Sequence, residues 1–235
     1  MNILKLYFPL PVYWAVYMMQ GSRWIFQATR MNTKIGFYSI PPDQIYTLNP
    51  LFVMLTLPFC DYVLYPFLEK IKLGSLLHKM TIGIFIAFIA TLVSVYIEVK
   101  IEENFISILW LVPQYFIFAI SDNFMFISHL RFVYTETSLN MKSVMMSSVY
   151  LVMASGDLVV ILVSGMKLFE TQVNEFIFFA GVLLVATVGF GVLAQKYKPD
   201  NSEDEENEKV TLMKIQDKNS NKCFDEIETA EETLR

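Results

Sequence analysis

Six apolar stretches, each about long enough to cross a bilayer as a helix, and an acidic stretch poor in aromatics at the carboxy terminus predict an all-α membrane protein. It has six transmembrane helices and a disordered C-terminal tail. Composition agrees, since 54 % hydrophobic and 15 % aromatic residues against 17 % charged lie outside the range of ordinary soluble domains. The charges are also unevenly placed. Residues 1–196 hold 11 acids and 12 bases and 197–235 hold 12 acids and 6 bases, so the body is nearly neutral and the tail accounts for about all of the formal net charge of −5.

Each element follows from where the charges stop. Uncharged runs extend over Leu6–Ser22, Gln44–Cys60, Met80–Ile97, Asn104–Ser121 and Phe176–Gln195, and a sixth, Ser143–Gly165, is interrupted only by Asp157. One central carboxylate costs roughly 3 kcal/mol on insertion, which the flanking Val, Leu, Ile and Met residues offset. The expected spans are 6–28, 44–69, 77–98, 104–132, 142–165 and 174–195 within a bundle covering 1–196, followed by an acidic cytoplasmic tail over 197–235. Lys5 precedes the first apolar run and no small-residue cleavage site follows, so that run reads as a retained span rather than a signal peptide. With the amino terminus inside, the cytoplasmic side collects eight Lys and Arg residues against five outside, which places both termini in the cytoplasm.

Several chemistries find no support. Cys60 and Cys223 lie in no metal-ligand or redox spacing, so no metal, cofactor or disulfide framework is expected. There is no glycine-rich phosphate loop, no Ser-His-Asp arrangement and no basic patch for nucleic acid. The stretches "FCDY" and "ASGD" approach the surroundings of an intramembrane aspartyl protease, but they lack the full glycine-flanked pattern. The reading is therefore not an enzyme.

Ionisable groups inside spans are costly and mark substrate or proton paths when they face a cavity. The candidates are Asp61, Asp122, His129, Arg131 and Asp157. In "FAISDNFMFISHLRF" Asp122 and His129 are seven residues apart, on one helix face about two turns apart, and suggest a polar stripe looking into a bundle. Arg131 and His129 are also placed to snorkel toward the cytoplasmic mouth.

Read in order, the stretches "FPLPVYWAVYMMQGSRWIFQATRM", "IPPDQIYTLNPLFVMLTLPFCDYVLYPFL", "HKMTIGIFIAFIA", "ILWLVPQYFIFAISDNFMF", "LRFVYTETSLNMKSVMMSSVYLVMASGDLVVILVSG" and "NEFIFFAGVLLV" resemble the proton-coupled oligopeptide transporters of the major facilitator superfamily. The resemblance covers nearly all of residues 6–184 and corresponds to the carboxy-terminal half of that fold, helices seven to twelve. It implies proton-coupled import of di- and tripeptides by a secondary active transporter in the plasma membrane. Small peptides, protons and the lipid bilayer are the implied partners. The chain is then expected to require an amino-terminal six-helix half or another carrier, or to act as a transport-incompetent membrane interaction partner. The acid at Asp122 is implied to attract the peptide amino terminus, with Trp14 and Asn49 lining the pocket. Asp61, Asp122, Arg131 and Asp157 become proton-coupling or gating candidates.

Departures from the family pattern fall on the same positions. Met18 and Met19 stand where an acid and an amide are usual, Asp122 is one methylene shorter than the usual Glu, and Arg131 replaces a Glu. The partner expected for Asp61 falls at Asn2, Asp157 stands for Asn, and Val149 for Trp. The glutamate signature of the family's first helix has only a chance match, "EENEK" at 205–209, in the tail.

Overall fold

A computed structural model describes residues 7–35, 37–70, 75–135, 142–166, 169 and 171–196. The tail expected over 197–235 and the position of Asn2 lie outside the described residues.

The first apolar stretch, expected as one span over 6–28, is two helices, α1 (Leu10–Met19) and α2 (Arg23–Thr29). Pro11 enters α1 in its first turn, where a missing N–H costs nothing. The break has a local cause. The N–H groups of Gln20, Gly21 and Ser22 all bond three residues back, tightening the last turn, and the Ser22 hydroxyl donates to the Met18 carbonyl at 3.1 Å. That side-chain bond competes with the backbone ladder, and helical pairing resumes with Phe26 N–H to the Ser22 carbonyl.

A two-stranded antiparallel ribbon follows, β1 (Lys34–Ile35) with β2 (Tyr38–Ser39), pairing Lys34 with Ser39 and Ile35 with Tyr38. The charge pattern gave no signal for so short a ribbon in an otherwise helical protein. A 3₁₀ stretch, Pro42–Thr47, feeds α3 (Leu48–Phe59), which passes through a π-helical turn, Cys60–Leu64, into α4 (Tyr65–Lys70). Pro58 stands just before that turn and removes one backbone donor, which accompanies the change of pitch.

Three long helices come from the middle of the chain onward. They are α5 (Leu76–Glu103), α6 (Val112–Thr135, led by a 3₁₀ turn at Ile108–Leu111) and α7 (Lys142–Gly165). The last is α8 (Gln172–Lys196). Five helical stretches among the described residues are long and apolar enough to cross a membrane: Pro42–Leu68, Leu76–Glu103, Ile108–Thr135, Ser143–Gly165 and Gln172–Lys196. The protein is a multi-pass membrane protein with an all-α fold.

α5 packs along α6 and α8, α1 lies against α7 and α8, and α3 lies against α6. Two glycines permit the closest crossings. A Cβ on Gly83 of α5 would stand 2.7 Å from the Met125 nitrogen of α6, and one on Gly156 of α7 would stand 2.6 Å from the Pro11 carbonyl of α1. Neither backbone can retreat as a flexible side chain would, so both positions exclude any larger residue without helix displacement.

Candidate functional site

Three consecutive polar residues, Ser121, Asp122 and Asn123, lie in the middle of α6, and all are buried. Successive helical residues point about 100° apart, so the three address different neighbours. Ser121 Oγ donates to the Gly83 carbonyl of α5 at 2.7 Å. Asn123 Nδ2 donates to Thr56 Oγ1 of α3 at 2.8 Å, and the Asn123 carbonyl accepts from the Tyr65 hydroxyl of α4 at 2.9 Å.

Asp122 is bound from two sides. Its Oδ1 accepts from the Tyr13 hydroxyl of α1 at 2.7 Å and its Oδ2 from Asn49 Nδ2 of α3 at 3.0 Å. No cation is among these partners; two neutral donors hold the acid. Both bonds are of the charge-assisted kind, roughly twice as strong as neutral ones when the carboxylate is ionised.

The carboxylate borders a cavity of about 390 Å³ whose wall includes Trp14, Tyr17, Tyr46, Asn49 and Phe126. That volume suits a small organic ligand. Aromatic rings and aliphatic side chains such as Val53, Met54 and Met153 share the wall, and the Asp122–Asn49 pair supplies its directed polarity. Trp14 Nε1 and Asn49 Oδ1 are buried and find no hydrogen-bonding partner among the described residues, which leaves one donor and one acceptor unused beside the acid. Trp14 is fixed by edge contacts with Tyr13, Tyr17 and Phe126 at centroid separations of 5.3 to 5.7 Å.

The remaining candidates are dispersed. Asp61 lies exposed in the π turn, Arg131 is exposed near the end of α6, and Asp157 is half-buried on α7 without joining the cavity wall. His129 differs from the snorkelling expectation. It is fully buried, its ring meets Tyr7 edge-on at 5.5 Å, and neither ring nitrogen has a hydrogen-bond partner among the described residues. It shares burial with Asp122 but does not line the same cavity.

A second polar layer escaped the sequence reading because its acids sit at the ends of the uncharged runs. Arg23 Nε meets Glu175 Oε1 at 2.9 Å, tying α2 to α8. Arg30 of α2 pairs with the fully buried Glu98 of α5 and with Gln172 of α8. Between them Gln27 donates to the Ser94 carbonyl at 3.2 Å and accepts from Gln114 at 3.3 Å. The short α2 helix is thus held by charge and amide contacts in addition to the buried Trp24, whose ring packs edge-on against Tyr115 and Phe118.

Comparison with known proteins fits this architecture. The transporter PepTSo, a POT family member, superimposes with a TM-score of 0.76 at 28 % identity, covering 83 % of this chain and 41 % of that one. An auto-inhibited POT family peptide transporter gives 0.74 at 25 % identity, covering 84 % and 41 %. Among curated proteins, solute carrier family 15 member 2 of Homo sapiens is 44 % identical over 103 residues, and peptide transporter family 1 of Drosophila melanogaster is 42 % identical over 102. Each of those matches takes in 43 % of this chain and 14 % of the relative. The chain thus spans well under two thirds of the proteins it resembles. The family model described as the POT family matches residues 1–192, and on that match, over a helical fold shared with solved members, the chain belongs to the POT family.

Proposed function

We propose that this chain forms the carboxy-terminal half of a secondary active transporter that imports di- and tripeptides together with protons. The observation that carries the reading is the buried carboxylate of Asp122 in an aromatic cavity, within a chain of this family. A peptide ammonium gains much from a desolvated carboxylate, while aromatic walls accept varied side chains. Trp14 and Asn49 complete the peptide pocket. Asp61, Asp122, Arg131 and Asp157 are the residues through which proton binding or gating is transmitted.

Alternating access places substrate between two bundles that rock about it, and this chain supplies one of them. A second six-helix bundle, on the same polypeptide or from another carrier, is needed for transport. The reading places both termini in the cytoplasm, following the excess of Lys and Arg in the connections on that side, and the protein in the plasma membrane.

A second reading is a transport-incompetent protein that binds and regulates another carrier. One experiment separates the two. The full-length transcript is determined and its product expressed in cells lacking peptide carriers, and uptake of a labelled dipeptide is followed at two pH values. Uptake that rises in acid and is lost on Asp122→Ala supports the symporter. A membrane-inserted product that moves no peptide but co-purifies with a complete carrier supports the regulatory reading.

A further inference from the structure

Tyr13 is the one group on α1 that bonds the cavity acid, and it is held more rigidly than the acid itself. Its side chain is fully buried, and its ring is stacked on Phe118 with centroids 6.1 Å apart and planes within 17°. Its edge is set against Trp14 at 5.5 Å. The hydroxyl at the end of that fixed ring reaches Asp122 Oδ1 at 2.7 Å and lies 3.5 Å from Ser121 Oγ. Ser121 Oγ in turn donates to the Gly83 carbonyl. The acid, by contrast, is a short side chain with two free torsions, and it is pinned only by what it accepts.

An ionised carboxylate offers about four acceptor positions. At Asp122 one on each oxygen is taken, by Tyr13 from α1 and by Asn49 from α3. The positions left over are those available to a cation entering the cavity. Their direction is decided by the two donors, and of these only Tyr13 is clamped between rings. Without its hydroxyl, the carboxylate is free to turn about its torsions and loses its only bond to α1.

From this geometry we infer that Tyr13 is a positioning residue for ligand selection: it aims the Asp122 carboxylate at ligands that carry a primary ammonium group. The inference rests on the peptide-transport reading and deepens it by assigning amine recognition to a residue that does not itself touch the ligand.

The test uses the complete carrier in cells lacking other peptide carriers. The half-saturation concentration is measured for Ala-Ala and for its desamino analogue, propionyl-alanine, in the unmodified protein and in Tyr13→Phe. The expected result is a rise of roughly tenfold to a hundredfold for Ala-Ala, the range for losing a hydrogen bond to a charged group, with propionyl-alanine unchanged. A merely structural role would lower the maximal rate through the amount of folded carrier and leave both half-saturation concentrations unchanged or shifted together, and equal shifts, or none, overturn the inference.

If Tyr13→Phe does not reach the membrane, the same two ligands are compared in Phe118→Leu, which keeps the Tyr13 hydroxyl but removes the ring stacked on it. A rise for Ala-Ala with propionyl-alanine unchanged supports the inference, and equal shifts, or none, overturn it. An unmodified carrier that takes up no Ala-Ala overturns the peptide reading, and this inference with it. Ala-Ala uptake that is indifferent to Tyr13 leaves the reading intact and overturns the inference alone.

Discussion

Gly156 of α7 and Trp14 of α1 are in backbone-level contact: a Cβ placed on Gly156 would lie 2.7 Å from Trp14 Cβ and 2.8 Å from the Ala15 nitrogen. The crossing that carries Trp14 into the cavity wall therefore depends on the absence of one side chain. Replacing Gly156 with Ala forces α1 and α7 apart, at a cost of about 1–3 kcal/mol typical of overpacking. Thermal unfolding of the purified variant in detergent is expected to show a lower midpoint. Gly181, with nothing within 4 Å of the same added atom, is the control that stays unchanged on Gly181→Ala.

Asn49 contributes a neutral donor to Asp122 at 3.0 Å, and its charge state matters more than its size. Asn49→Asp sets two carboxylates against each other, and at that separation they cannot both ionise freely. Dipeptide uptake by the complete carrier is expected to fall further in Asn49→Asp than in Asn49→Ala, although the first substitution is nearly isosteric. The reverse order would show that the amide serves by shape rather than by donating a hydrogen bond.

His129 is buried, and neither of its ring nitrogens has a hydrogen-bond partner among the described residues. Leaving a buried donor or acceptor unmet costs on the order of 1–3 kcal/mol. If the imidazole serves only to fill space, His129→Leu removes that cost at similar volume and the unfolding midpoint rises. A midpoint that stays level or falls, together with altered uptake, would mark the imidazole as a working part of the polar stripe below Asp122.

The Arg23–Glu175 pair, with Glu175 buried, ties α2 to α8 across 152 residues of sequence. Glu175→Gln leaves the Arg23 guanidinium without its counter-charge in a largely buried place, and breaking such a pair costs about 3–5 kcal/mol when burial is complete. Arg23 keeps some exposure, so the lower end of that range is expected. Substituting both members with Met and Leu should recover part of the loss, which a comparison of the three unfolding curves would reveal.

Charge spacing alone located the long helices, because Lys79, Glu98, Glu103, Asp122 and Glu175 bound runs that the bilayer requires to be apolar. It could not locate the break between Met19 and Arg23, where polar Gln20, Gly21 and Ser22 carry no charge and the cause is a hydroxyl bonding backwards along the helix. Asp122 stood out as a carboxylate deep in a run. Its partners did not, since Tyr13 and Asn49 lie 109 and 73 residues away and nothing in a tyrosine flanked by apolar residues says which way its hydroxyl points. His129 was misjudged for a related reason. Nearness to the cytoplasmic mouth suggests exposure, whereas packing against Tyr7 removes it from solvent.

The break between α1 and α2 has a consequence for biosynthesis. Helices of ten and seven residues are too short to cross a bilayer singly, and their polar anchors, Asp122, Glu98 and Glu175, are all translated later. At elongation rates of about 5–20 residues per second, Arg23 waits roughly 8–30 s for Glu175 to leave the ribosome. Throughout that interval α1 and α2 form an incomplete, cation-bearing segment, which must be sheltered by the insertion machinery until α8 arrives to lock it in place.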